Sequence, residues 1–236
     1  MESGKAMEAP LKKGRYLLPI LITAAAITAA GLWFHQNFFR ILPLYVSLFV
    51  MILSAQVNRY TFLLGGFNSI LYAAVYFAYG LYGMAAYALL VSFPIQIVSF
   101  LRWKKHAYRS SVELKKLTGK QRALAVAGFT GIWVLLYLIL KQAGAAYVLL
   151  DNTVTLFGIC ISFLQMFAFL EYIYLMIPSG LVTLALSIRM LPEHPEQIAY
   201  LIYSIYSLIC VTVQLVNARK LYRLQQGGTK EEPSCE

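Results

Sequence analysis

The sequence predicts an all-α integral membrane protein of about eight transmembrane helices, an extra N-terminal helix followed by a 3+1+3 parallel-repeat core. Three observations carry that prediction. Of 236 residues, 60% are hydrophobic and only 13% charged, against about 25% charged in soluble domains, and the mean hydropathy is +0.66. The apolar residues form continuous runs rather than the alternating ten-residue segments of a barrel. Finally, the basic residues are strongly one-sided along the chain.

A hydrocarbon core of roughly 30 Å takes about 20 helical residues to cross, and such runs lie near 16–34, 39–57, 61–79, 81–101, 122–140, 147–169, 172–190 and 197–217. The first follows Lys12, Lys13 and Arg15 and ends in small residues, as a signal peptide does. Its apolar run exceeds the usual h-region of about 7 to 15 residues, so it reads as a span. The expected organisation is a cytoplasmic tail over 1–15, the extra helix 16–34, a first three-helix repeat 39–101, a basic loop and linker helix 102–140, a second repeat 147–217 and a cytoplasmic tail 218–236.

With the N-terminus placed in the cytoplasm, only Arg40, Lys141 and Arg189 of the twenty Lys and Arg fall outside. Lys5, Lys12, Lys13 and Arg15 precede the first span, and Arg59 lies between the second and third. The block from Arg102 to Arg122, with Arg109 inside it, and Arg219, Lys220, Arg223 and Lys230 complete the inner set. That asymmetry orients the chain in a plasma membrane with both termini cytoplasmic. It also accounts for the net charge of +10 as a topology signal, with anionic-lipid contact second and nucleic acid excluded as a partner.

Enzymatic chemistry has little to work with. Cys160, Cys210 and Cys235 have no paired spacing, His35, His106 and His194 fall in expected loops, and Asp151 is the sole aspartate. No metal set, phosphate loop, nucleophile elbow or cofactor motif is present, so a non-enzyme without metal or cofactor is expected.

The informative residues are small polar ones inside the spans. Ser47, Ser54 and Asn58 share one side of the second span; Asn68, Tyr72 and Tyr76 share one side of the third, and Ser92, Gln96, Ser99 and Trp103 one side of the fourth. In the second half, Asp151, Thr155, Gly158, Ser162 and Gln165 align, as do Ser179, Thr183 and Ser187, and Tyr203, Ser207, Cys210, Gln214 and Asn217. Any one such hydroxyl reads most simply as interhelical glue. Stripes on six of eight helices, with carboxamides at depth, fit a neutral, aromatic-lined cavity better. The first and fifth spans lack a stripe, so the striped triplets are offset by four spans and run parallel. Tyr79 and Tyr82 read as outer-belt residues.

The first half then resembles a known family. "GGFNSILYA" at 65–73, Tyr76, "LYG" at 81–83, "PIQ" at 94–96 and "WKKH" at 103–106 resemble PnuC-type vitamin transporters, and "LLDNTVT" at 149–155 with "FLE" at 169–171 look like the family's second half. The resemblance covers about 40–220. It implies a fold related to SWEET transporters, a homotrimer, and facilitated diffusion of nicotinamide riboside or a similar vitamin. A thiamine or riboflavin carrier, or a non-transporting membrane scaffold, is the alternative. Riboside carriers typically have, after the glutamate, two tryptophans three residues apart and a carboxamide or carboxylate four further on; Ile173, Met176 and Gly180 stand there instead.

A nucleoside-like ligand wants aromatic faces and neutral hydrogen-bonding groups. Candidates are Asn68, Tyr72, Tyr76 and Gln96 from the first repeat and Ser162, Gln165 and Asp151 from the second, with Trp103 as anchor or gate at the inner mouth. Asp151 reads first as an outer-end cap and second as a ligand contact, and Glu171 as a helix-start residue.

Overall fold

The computed structural model describes residues 14–108 and 111–228. Lys5, Lys12, Lys13, Arg109, Lys230 and Cys235 lie outside the described residues. Eight helices follow in order: α1 Gly14–Trp33, α2 Phe38–Ala55, α3 Tyr60–Ala78, α4 Tyr82–Lys105, α5 Gly119–Gln142, α6 Val148–Met166, α7 Glu171–Met190 and α8 Ile198–Gly228. Seven, α2 to α8, are long and apolar enough to cross a membrane. The apolar part of α1, Leu18–Trp33, is shorter than those seven.

The helices are set by caps and turns that the local sequence supplies. Asn37 accepts from Phe39 N at 3.1 Å to open α2, and Thr118 with Gln121 forms a capping box before α5. The end of α2 and the end of α6 are built alike. Val57 N donates to Ser54 O and Asn58 N to Leu53 O, just as Ala168 N donates to Gln165 O and Phe169 N to Leu164 O. Both turns pass through a buried left-handed residue, Val57 at φ 54° and Ala168 at φ 59°, in the paired-bond pattern that closes many helices. The same device at the first turn of each triplet is a structural mark of the repeat.

The triplets α2–α3–α4 and α6–α7–α8 meet along two seams, α2 against α8 and α4 against α6. Helix α1 packs on α2 and α8, burying Ile27 and linking Thr28 Oγ1 to Tyr45 Oη at 2.6 Å. Helix α5 packs on α6 and is otherwise exposed along an apolar surface, as a linker facing lipid would be.

At the basic end, the segment between α4 and α5 forms a strap. A two-stranded hairpin, β1 Ala107–Tyr108 and β2 Ser111–Val112, leads to Lys115, whose N–H donates to Ala168 O and whose carbonyl accepts from Leu170 N. Val112 and Leu114 are buried against Trp103, Leu170 and Tyr172, and Gln225 of α8 bonds both Leu114 N and Val112 O at 3.0 Å. Glu171 accepts from Leu117 N and Arg122 Nη2, so its role as a helix-start residue extends to holding the strap.

At the opposite end, Gln36 Nε2 donates to Glu196 O, and Tyr147 Oη donates to Glu193 Oε2 at 2.5 Å. Desolvation and that carboxylate push Tyr147 up to about 12, so it remains a donor at neutral pH. Tyr79, expected in an outer belt, is instead buried against Tyr200 and His194 with the Arg40 guanidinium 5.2 Å from its ring centre. The helix end turns inward there, which composition does not reveal. Tyr82 is partly exposed beside Phe77, as a belt residue should be.

Candidate functional site

On α3 the polar stripe faces α2. Asn68 Nδ2 donates to Ser47 Oγ at 2.7 Å, and Ser47 Oγ shares a 2.8 Å hydrogen bond with Tyr72 Oη. Tyr72 stacks on Tyr76 with ring centres 5.2 Å apart. The other amide atom, Asn68 Oδ1, is buried with no hydrogen-bond partner. Buried polar atoms are rarely left so, and a lone carbonyl oxygen is an acceptor waiting for a donor.

Gln96 of α4 lies against α3 at Gly65, where a Cβ would come within 2.7 Å of Gln96 Oε1. Glycine is required there for the amide to reach the α3 backbone. Among the described residues the Gln96 side chain makes no hydrogen bond. Ser92 is glue, bonded to Ser69 Oγ at 2.9 Å.

The α6 stripe is a seam against α4, residue by residue. Asp151, fully buried, accepts from Gly83 N at 3.1 Å and Met84 N at 3.0 Å, so it caps the start of α4 from another helix. Thr155 leans on the same carboxylate at 3.4 Å. Gly158 and Ser162 meet Tyr87, with Ser162 Oγ and Tyr87 Oη 2.7 Å apart. The Gln165 carbonyl accepts from Trp103 Nε1 at 2.9 Å. Asp151 therefore realises the capping reading and not the ligand reading. Trp103 is packed edge-on to Phe62 in the buried basic-end core and lines a small pocket there with Arg102, His106 and Lys115.

A cavity of about 190 Å³ opens between the triplets. From α4 and α6 it is lined by Tyr87, Gly158 and Ile161; α7 contributes Met176, Ser179, Gly180 and Thr183, and α8 adds Tyr203, Ser204, Ser207 and Val211. No ionisable carboxylate, ammonium, guanidinium or imidazole lines it. Asn68, Gln96, Gln165 and Asp151 are not part of its wall. Ser162 reaches it through Tyr87, and the Tyr72 and Tyr76 column packs against the same apolar cluster as Tyr203.

Three hydroxyls of this wall already have uses for their protons. Thr183 donates to Ser179 O, Ser204 to Tyr200 O and Ser207 to Met51 Sδ. A hydroxyl has one proton and two lone pairs, so these three turn acceptors toward a ligand. These acceptors are placed to meet donors, and among the described residues no cationic side chain lines the wall to meet an anion.

Two of the departures noted in the sequence lie in this wall. At Gly180 a Cβ would sit 2.6 Å from Leu208 Cδ2, so any side chain there requires Leu208 to move, while Met176 gives a flexible thioether. Ile173 is fully buried in the basic-end core. Sequence reasoning found Ser179, Thr183, Ser207 and Tyr203 as stripes but missed Ser204 and Tyr87. Residues 87–92 form a π-helical turn, which puts Tyr87 and Ser92, five apart, on related sides. A 3.6-residue period cannot find that pair, and Pro94, which has no N–H to donate back into the turn, is the signal that could have.

Comparison with known proteins agrees with this architecture. The family model described as nicotinamide mononucleotide transporter matches residues 37–217. A solved structure described as the crystal structure of the vitamin B3 transporter PnuC is similar at a TM-score of 0.77 and 21% identity, covering 89% of this chain and 92% of that one. No curated protein matches the chain.

Proposed function

The chain belongs to the nicotinamide mononucleotide transporter family, and from that premise we propose that it carries nicotinamide riboside, or a closely similar vitamin, across the plasma membrane by facilitated diffusion. Being a transporter of that family, it is a multi-pass membrane protein and not an enzyme. In the proposed setting both termini are cytoplasmic, three copies assemble, and phosphorylation inside the cell traps the vitamin.

The observation that carries the proposal is the cavity between the triplets, walled by two tyrosines and by hydroxyls that offer acceptors, with no charged side chain. A pyridinium nucleoside brings a flat cationic ring for the tyrosines. Its ribose hydroxyls and carboxamide bring donors for the acceptors at Thr183, Ser204 and Ser207. The same cavity opposes the phosphorylated mononucleotide, because burying a dianion with no cation to meet it is prohibitively costly. It also opposes a mere scaffold, whose polar stripes would close on one another.

Two departures support a second reading, a thiamine-type carrier. Met176 and Gly180 stand where riboside carriers have aromatic and carboxamide groups, and thiamine too is a flat cation. The test is thermal stabilisation of detergent-purified protein by a panel of vitamins and nucleosides, since a ligand that binds only the native state raises its midpoint. Nicotinamide riboside should stabilise and its mononucleotide should not. Stabilisation by thiamine or riboflavin alone overturns the substrate and leaves the transport reading standing.

A further inference from the structure

The π-helical turn in α4 places one aromatic side chain where the spacing of the helix would not. Tyr87 lines the cavity from α4, the only residue of the first triplet to do so among the described residues. Its position is fixed from two sides. The hydroxyl is bonded to Ser162 Oγ at 2.7 Å. The hydroxyl end of the ring lies on the α6 backbone at Gly158, so close that a Cβ there would be 2.8 Å from Cζ and 2.9 Å from Cε1. Real Cβ atoms do not approach so near; Gly158 is what lets the ring sit there. Across the cavity, Gly180 has no side chain and Met176 is not aromatic, so among the described residues Tyr87 and Tyr203 provide all of the aromatic wall.

We infer that Tyr87, held by Gly158 and Ser162, is the residue that selects a positively charged ring over a neutral one of the same shape. The inference rests on the transport reading above for its ligand class. With no carboxylate in the wall, a cation entering the cavity can be recognised only by aromatic faces and by oxygen lone pairs. The face of a tyrosine ring attracts a desolvated cation, and a neutral ring of equal size gains only the contact area. The hydroxyls of α7 and α8 serve ribose and amide donors whether or not the ring is charged. Charge discrimination therefore falls to the tyrosines, and Tyr87 is the one the seam immobilises.

The test compares the dissociation constants of nicotinamide riboside and its neutral 1,4-dihydropyridine counterpart for the purified full chain. The wild-type protein should favour the cation about tenfold, ~1.4 kcal/mol. Tyr87→Leu should bring the ratio to near one, while Tyr87→Phe, which loses the Ser162 bond and keeps the ring, should hold it within about threefold of wild type. Gly158→Ala, which displaces the ring without removing it, should behave like Tyr87→Leu and guards against a leucine variant that does not fold. An unchanged ratio in Tyr87→Leu overturns the inference, as does an equal collapse in Tyr87→Phe, which would assign the effect to the hydroxyl. Should neither riboside bind the wild-type chain, the substrate reading fails by itself. Thiamine and its neutral 3-deaza analogue then make the same comparison, and a ratio insensitive to Tyr87 there overturns the inference as well.

Discussion

Removing the Asp151 carboxylate should destabilise the protein without touching the affinity of the site. The side chain is fully buried, and its two oxygens accept the N–H groups of Gly83 and Met84 at 3.1 and 3.0 Å. Those groups belong to the first turn of α4, which has no intrahelical partner for them. In Asp151→Ala both donors are left buried, at about 1 to 3 kcal/mol each, and Thr155 loses its acceptor. The expected cost is about 3 to 5 kcal/mol. At about 2 to 4 °C per kcal/mol for a chain of this size, the melting midpoint should fall by roughly 6 to 20 °C. Asp151→Asn keeps one acceptor oxygen, so about half of that loss is expected. The assay is thermal unfolding in detergent paired with a binding isotherm for the stabilising vitamin, measured well below both midpoints. A variant that melts as the wild type does yet has lost ligand affinity would refute the reasoning and return Asp151 to the binding site.

Among other substitutions, Asn68→Ala should cost about 1 to 3 kcal/mol of stability, since it removes the amide that donates to Ser47 Oγ, and, like Gln96→Ala, should leave vitamin affinity within about 0.5 kcal/mol of wild type because neither amide lines the cavity. Thr130→Ala on the exposed face of α5, whose hydroxyl bonds its own helix at Val126 O, should change stability by less than about 0.5 kcal/mol; a loss of affinity of about 1 kcal/mol or more at Asn68 or Gln96 would bring the amides into the site. In intact cells, a cysteine at position 193 should react with an impermeant thiol reagent and cysteines between 102 and 122 should not, and labelling of that basic segment from outside would invert the orientation. Uptake into proteoliposomes should reach equilibrium and stop there under an imposed proton or sodium gradient, because among the described residues no carboxylate, imidazole or amine lines the cavity to couple to either ion; accumulation beyond equilibrium would show a driven carrier.

What the sequence by itself determined was whatever depends on one stretch of chain at a time. Spans follow from continuous apolar runs, because transfer into hydrocarbon is a sum over the residues of one helix. The offset of two striped triplets, α2 to α4 and α6 to α8, was legible because each stripe needs only its own helical period. The hydroxyls at Ser179, Thr183 and Ser207, later found in the cavity wall, were readable for the same reason. The destination of each polar group was decided by tertiary structure alone. Nothing local distinguishes Asp151 at the start of α6 from a ligand contact; only the start of α4 arriving beside it makes it a cap. Gln214 and Asn217 look like cavity residues by spacing, yet they bond Tyr172 Oη and Ala55 O across helix seams. Tyr87 entered the wall through a π turn that breaks the period on which any stripe is read. A hydrogen bond in the membrane interior goes to whichever partner is nearest in space, and that distance is set by the packing of two triplets far apart in the chain.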